Sequence, residues 1–462
     1  MANTTQVEQL TPLDLLMPRT YVGAFFTFKT TTSVESAQPK LQHGLDNLFR
    51  RLPWLTGRVF PTSQARGKLG ADEVPRLEVR WSKTDAAPVL VNKGILDAQY
   101  TTLAGERMPP SAILADKWPV PSMIDDTLFK AGAPVFGASL MQFSDKQGLA
   151  LCISVHHNVV DATGFAEVVK AWTESIEGKQ SQDTVLGLNR LSQLSEALST
   201  ELKVAEGHST TEIFALHPEY SSAPPTMPTS FAPCTAKLFT VPISKIDALK
   251  AQLDPAPTTN TLICALLWSA ITRARLQRNP DLIKETSKLA MGVNGRSRLG
   301  KEISTSDSPY FGNTILYSLA EISTADLEKA SDLSQAQLLA PIVEAIAQSV
   351  SPNKISQRHV AEAYTLAEKA DNYQTIFPGW DLFSSRDFTI TSWADLDLYN
   401  MSFGADLGKP EFIRSPYVEA DGVALIMPRK RSADELVDVV LMLRKDDLEA
   451  LGEDRIQSYV TQ

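Results

Sequence analysis

The chain has 462 residues, 43% apolar and 21% charged, with 28 prolines spread along it and no repeat or biased tract. That is room for two well-packed domains of ordinary globular composition. The net charge of -10 repels phosphate backbones, and basic runs such as Arg50-Arg51 and Arg429-Lys430-Arg431 are short, so no nucleic-acid partner is expected.

The amino-terminal stretch MANTTQVEQLTPLD has neither a basic nor an apolar region, which argues against a secretory signal. Residues 22–28, VGAFFTF, read as an early strand. Residues 35–52 read as a helix, because Leu41, Leu45, Leu48 and Leu52 fall on one face before Pro53 ends it. Residues 76–81 alternate as a half-buried strand. Two apolar runs, 135–143 and 148–155, flank the polar loop Ser144-Asp145-Lys146-Gln147 as a hairpin would. After them Phe165, Val168, Val169, Trp172 and Ile176 follow a helical period, with Gly178 as a stop.

Residues 179–235 turn polar and then Pro-rich, with weak periodicity. They read as a crossover between lobes. The expected division is a first lobe at 1–205, a linker at 206–235 and a second lobe at 236–462. In the second lobe, strands are expected at 236–241, 288–293, 313–319, 387–393, 423–427 and 437–443. Helices are expected near 243–253, 261–276, 334–350 and 355–370, the second of these capped by Asn260 or Thr261. Strands and helices interleave throughout, which predicts an α/β fold of two similar lobes.

Cys152, Cys234 and Cys264 lie far apart with no Cys-x-x-Cys spacing. Neither a disulfide framework nor a metal site is expected, and a reducing, cytoplasmic setting fits. No stretch approaches the roughly 18 to 20 apolar residues that span a bilayer, so no membrane role is expected.

The most informative stretch is LCISVHHNVVDATG at 151–164. It is an apolar strand ending in two histidines, with Asp161 four residues past the second. Alternation puts Leu149, Leu151, Ile153, Val155 and His157 on one face and His156 on the other. On spacing alone the pattern does not separate a base from a packed histidine, and Asp161 also suits a helix N-cap. Functionally, an imidazole of ordinary pKa is roughly three-quarters neutral at pH 7. General-base help is worth on the order of 10²- to 10⁴-fold, enough to activate a hydroxyl or amine against a thioester. No Gly-x-Ser-x-Gly elbow is present.

HHNVVDATG resembles the His-x-x-x-Asp-Gly motif of the BAHD acyltransferases, with Ala162 in place of glycine. It is also similar to the motif of nonribosomal peptide condensation domains, which share the chloramphenicol acetyltransferase-like fold. Further segments resemble BAHD elements in order: LTPLDLLMPRTYV, LDNLFRRLPWLTGRV, TNTLICALLWSAITRAR, MGVNGRSRL with YFGN, TSWADLDLY and FGADLGKPEFIR. The last departs from the family loop: Ser402 stands for its Asp and Ala405-Asp406-Leu407 for its single Trp. In this it is similar to fungal members of the trichothecene 3-O-acetyltransferase branch.

The resemblance implies two lobes with a channel between them, and acyl transfer from acyl-CoA, acetyl-CoA first, to a hydroxyl of a small secondary metabolite. No covalent acyl-enzyme and no permanently bound cofactor are implied. His157 would be the base. Asp161 would pair with Arg296 and support the site. Thr391 and Trp393 would lie by the reacting carbonyl, with Thr391 or a nearby donor facing the oxyanion. Arg298, Gly408 and Lys409 are the candidates for contact with CoA. His43, His208, His217 and His359 match no motif position and are expected on the surface or in packing. The chain is expected to act as a monomer. Amine acylation, a carrier-protein thioester donor and a silent ligand-binding relative are the alternatives.

Overall fold

The computed structural model describes residues 5–62, 74–82, 86–179, 185–300, 303–329, 336–381, 383–432 and 435–460. Two large sheets organise it. The first runs in the order Phe412–Arg414, Tyr21–Lys29, Gly148–His156, Phe136–Phe143, Val91–Leu96. The hairpin read at residues 135–155 is its centre, and Tyr21–Lys29 pairs with it antiparallel from Tyr21 opposite His156.

Helices Val34–Arg51 and Ala162–Ile176 cover one face of this sheet. Leu41, Leu45 and Leu48 of one, and Val168, Val169 and Trp172 of the other, close over Leu149, Leu151, Ile153 and Val155. Gly44 permits the close approach: a Cβ there would stand 2.4 Å from Ile176. The other face packs Phe25, Met141, Ala150 and Cys152 against Tyr100, Met108 and Trp118. A small sheet of Gln6–Gln9, Leu77–Trp81, Arg58–Pro61 and Ala133–Pro134 stands beside it.

The second sheet runs Cys234–Pro242, Leu436–Arg444, Val423–Ile426, Phe388–Ser392, Thr286–Asn294, Ile315–Ser323. Its pairing is mixed, with Phe388–Ser392 parallel to both neighbours. Helix Thr259–Arg278 is buried almost all round against one face, over Val437, Val439 and Leu441. Its cap is Thr258, whose hydroxyl accepts from Thr261 N at 3.0 Å, so the helix begins earlier than the expected cap at Asn260 or Thr261. The opposite face, through Val440, Met442, Leu425 and Met427, joins the core of the first lobe.

Residues 206–235, read as the crossover, contain helix Thr210–Leu216 and strand Tyr220–Ser221, preceded by helices Arg190–Ala197 and Ser199–Ala205. Their apolar residues Leu194, Leu198, Leu202 and Ile213 form a third core with Val360, Ala363 and Leu366 of helix Gln357–Lys369. The helices are too short for a visible period. The FGADLGKP loop, placed in the second lobe by sequence, also leads into the first: Phe403 packs on Phe26, Phe28 and Trp172, and Phe412–Arg414 pairs with Tyr21–Lys29. Among the described residues no helix is long and apolar enough to cross a membrane.

Candidate active site

Strand Gly148–His156 stops one residue short of the expected His157. Residues 157–159 form a turn, with the amides of Val159 and Val160 both donating to the His156 carbonyl at 2.9 and 3.1 Å. His157 therefore leaves the face shared by Leu149 to Val155. Its amide still donates to Thr20 O at 2.8 Å, and its carbonyl accepts from Asn313 Nδ2 at 2.8 Å.

Behind that carbonyl lies a buried polar bracket that sequence reasoning missed. Asp14 Oδ1 accepts from both Asn313 N and Asn313 Nδ2 at 2.8 Å, while Oδ2 accepts from Thr11 N and Thr11 Oγ1 at 2.8 Å. Asn158 Nδ2 donates to the carbonyls of Asp14 at 2.7 Å and Met17 at 2.8 Å. Asp14, Asn158 and Asn313 are all fully or almost fully buried, and hydrogen bonds are what make such burial tolerable. The turn under His157 is thus held from three directions.

The two histidines have different surroundings. His156 is 0% exposed, lies edge-on to Tyr21 at 5.5 Å and accepts from Asn158 N on Nδ1 at 3.2 Å. Burial, with a smaller contribution from the neighbouring His157, pushes its pKa down to about 3. His157 is half-buried. Its Nδ1 is enclosed without a hydrogen bond of ordinary geometry, while the residue as a whole keeps part of its surface exposed. Burial lowers its pKa below the usual 6.5, opposed by the carbonyls of His157 itself and Val160 and by the Asp161 carboxylate. An imidazole held neutral is the result.

Asp161 fills both roles weighed for it. Oδ1 caps helix Ala162–Ile176 by accepting from Gly164 N at 2.9 Å. Oδ2 accepts from Arg296 Nη1 at 2.7 Å and Thr314 N at 3.0 Å. Arg296, 7% exposed, spends its other donors on Thr314 Oγ1 and on the carbonyls of Tyr310 and Gly312. This is why the strand expected from residue 313 begins only at Ile315: Asn313 and Thr314 are committed to Asp14 and Asp161.

Phe388–Ser392 brings Thr391 to the same boundary. Phe388 and Ile390 point into the core under helix Thr259–Arg278, so alternation turns Thr391 toward the first lobe. Thr391 is exposed there, whereas Trp393 is buried and stacks on Phe165 at 6.0 Å and 28°.

The other candidates are engaged elsewhere. Arg298 donates to the carbonyls of Ile355 at 2.9 Å and Val350 at 3.3 Å. Lys409 Nζ donates to Asn400 Oδ1 at 3.0 Å. Gly408, at φ +66°, closes the loop by donating to Gly404 O and accepting from Phe403 N, both at 2.8 Å. A cavity of about 390 Å³ adjoins this loop, lined by Lys40, Leu41, Ile176 and Asp406 among others.

Fold and site together define a two-lobed α/β protein with a His-x-x-x-Asp turn and an interlobe Asp–Arg pair. The chain belongs to the Transferase family, whose family model matches residues 123–457. A model described as the trichothecene 3-O-acetyltransferase-like N-terminal domain matches residues 19–175. The chain is 27% identical to trichothecene 8-O-acetyltransferase of Fusarium sporotrichioides, with 97% of each chain covered. F. graminearum TRI101, solved with coenzyme A and T-2 mycotoxin, has the same fold at a TM-score of 0.79 and 16% identity over 99% of each chain. Vinorine synthase follows at 0.63 and 15%, over 99% of this chain and 97% of its own.

Proposed function

We propose that the protein transfers an acyl group, acetyl first, from acyl-CoA to a hydroxyl of a small secondary metabolite. The observation that carries this is His157, part-exposed on a turn fixed by Asn313 and Thr20 and kept neutral by burial.

In the reaction, Nε2 takes the proton of the acceptor hydroxyl as its oxygen attacks the thioester carbonyl. The C–O bond forms and the carbonyl oxygen gains the charge. Thr391 supplies a donor to that oxyanion. Collapse breaks the C–S bond, and the imidazolium returns its proton to the departing thiolate. No acyl-enzyme is formed.

Asp161 and Arg296 hold the lobes in register, and Trp393 walls the site through its stack on Phe165. Arg298 and Lys409, already bonded within the fold, support loops rather than gripping CoA, and Gly408 shapes its loop. We read the protein as a cytoplasmic monomer, a setting that its three unpaired cysteines favour.

The test is to incubate purified protein with acetyl-CoA and a panel of hydroxylated fungal metabolites, trichothecene alcohols included, following thiol release and product mass. Acetyl ester formed from free acetyl-CoA is the expected result. Transfer only from a carrier-protein thioester, or to amines alone, would overturn it.

A further inference from the structure

Far along the chain from the His157 turn, two histidines and two glutamates meet in the third core. His217, Glu219, His359 and Glu362 are 2%, 2%, 5% and 8% exposed, so of the surface or packing positions expected for the two histidines they take packing. His217 ends helix Thr210–Leu216, and Pro218 carries the chain directly to Glu219. That turn is clamped: Gly379 N donates to Glu219 O at 2.9 Å, and a Cβ on Gly379 would stand 1.8 Å from Pro218 O. His359 and Glu362 are three apart on helix Gln357–Lys369, and so share a face.

The donor atoms converge. Glu219 Oε1 lies 2.8 Å from His217 Nδ1 and 3.1 Å from His359 Nε2. One ligand atom from each of the three falls within 4.8 Å of the others, and no second such group gathers among the described residues. Glu362 Oε2 sits behind, 2.9 Å from the opposite ring nitrogen of His217. His359 Nε2, despite its distance from Glu219, has no hydrogen bond of ordinary geometry. It is a buried ring nitrogen aimed into the cluster at the Glu219 carboxylate.

We propose that His217 through Nδ1, Glu219 through its carboxylate and His359 through Nε2 bind a divalent transition-metal ion of the zinc class. Two imidazoles and a carboxylate form a donor set that zinc accepts, with a water or the second Glu219 oxygen completing the tetrahedron. Ligands bonded at about 2.0 to 2.2 Å stand about 3.4 Å from one another, so only a small separation of the present atoms is needed. Glu362 accepts the Nε2 proton of His217, which fixes the tautomer with its Nδ1 lone pair toward the metal. Carboxylates support zinc-bound histidines in this way.

The role is a clasp. It ties the crossover segment to helix Gln357–Lys369, whose Val360 packs in one core with Leu13, the neighbour of Asp14. The inference stands apart from the acyl-transfer reading and is tested without measuring turnover.

Protein free of a polyhistidine tag is dialysed against a weak chelator and assayed for zinc, then stripped and loaded with Co²⁺. The expected result is about one zinc retained per chain and intense tetrahedral Co²⁺ bands in the visible. Stripping should lower Tm by several degrees, and Zn²⁺ should restore it. His359→Gln should lose the metal, while Glu362→Gln should weaken binding about 10- to 100-fold. His43→Gln should change nothing. Folded wild-type protein that retains no zinc and shows no Co²⁺ bands would overturn the proposal, as would a folded His359→Gln variant binding the metal unchanged. The wild-type measurements decide the matter even if the variants fail to fold.

Discussion

The carboxylate of Asp161 accepts the guanidinium of Arg296 at 2.7 Å, with the two side chains 0% and 8% exposed. One residue opens a first-lobe helix and the other follows a second-lobe strand. Gly164 N and Thr314 N take the remaining acceptor positions of Asp161. The aspartate four residues from the histidine is therefore a staple between lobes.

Removing either partner leaves a buried charge uncompensated, which typically costs about 3 to 5 kcal/mol. Asp161→Asn and Arg296→Lys should each lower Tm and activity together. Lysine cannot reproduce the forked contacts to Tyr310 O, Gly312 O and Thr314 Oγ1. An Asp161→Asn enzyme that melts normally yet is inactive would assign the carboxylate to orienting the imidazole.

Gly164 sits where the two lobes approach closely. A Cβ there would lie 2.2 Å from the carbonyl oxygen of Phe311. Gly164→Ala should cost about 1 to 3 kcal/mol as main chain shifts, seen as a lower urea midpoint. An unchanged midpoint would show that the two segments do not meet this closely.

Thr391 is assigned to the oxyanion, so its removal should act on kcat. Thr391→Val should lose about 10²- to 10³-fold, with little change in KM for acetyl-CoA, and Thr391→Ser should recover most of it. A Thr391→Val enzyme with normal kcat would shift the oxyanion role to another donor.

Acid affects rate and stability through different histidines. His157 must be neutral to accept a proton, and burial holds its folded pKa below 6.5. The acid limb of kcat/KM should thus fall below pH 6.5, with a plateau through neutrality. A midpoint at or above 7 would contradict this. Burial pushes His156 from the ordinary 6.5 down to about 3 in the folded chain. Between these values the unfolded chain binds the extra proton, so stability falls as pH drops through that window. His156→Asn should flatten the decline of Tm between pH 6.5 and 4.

Much of this was legible in sequence wherever burial imposes a period. The hairpin, the leucine face of helix Val34–Arg51 and the all-round apolar helix Thr259–Arg278 were read nearly to their ends. Short strands such as Gln6–Gln9 and Arg58–Pro61 carry too few residues for alternation to show. At the site, the pairing of Asp161 with Arg296 was foreseen from motif resemblance alone. Asp14 and Asn313 were not, since 299 positions separate them and neither changes a local pattern. Nothing local in the sequence brings His217 and His359 together, for the same reason. The only sequence signals were His-Pro-Glu and His-x-x-Glu, each too short to stand out.

The most direct measurement is kcat for acetyl transfer by wild-type and His157→Ala enzymes of equal Tm. A fall of about 10²- to 10⁴-fold in the variant is expected for loss of a general base. Undiminished turnover would contradict the account, because the acceptor would then be losing its proton to some other group.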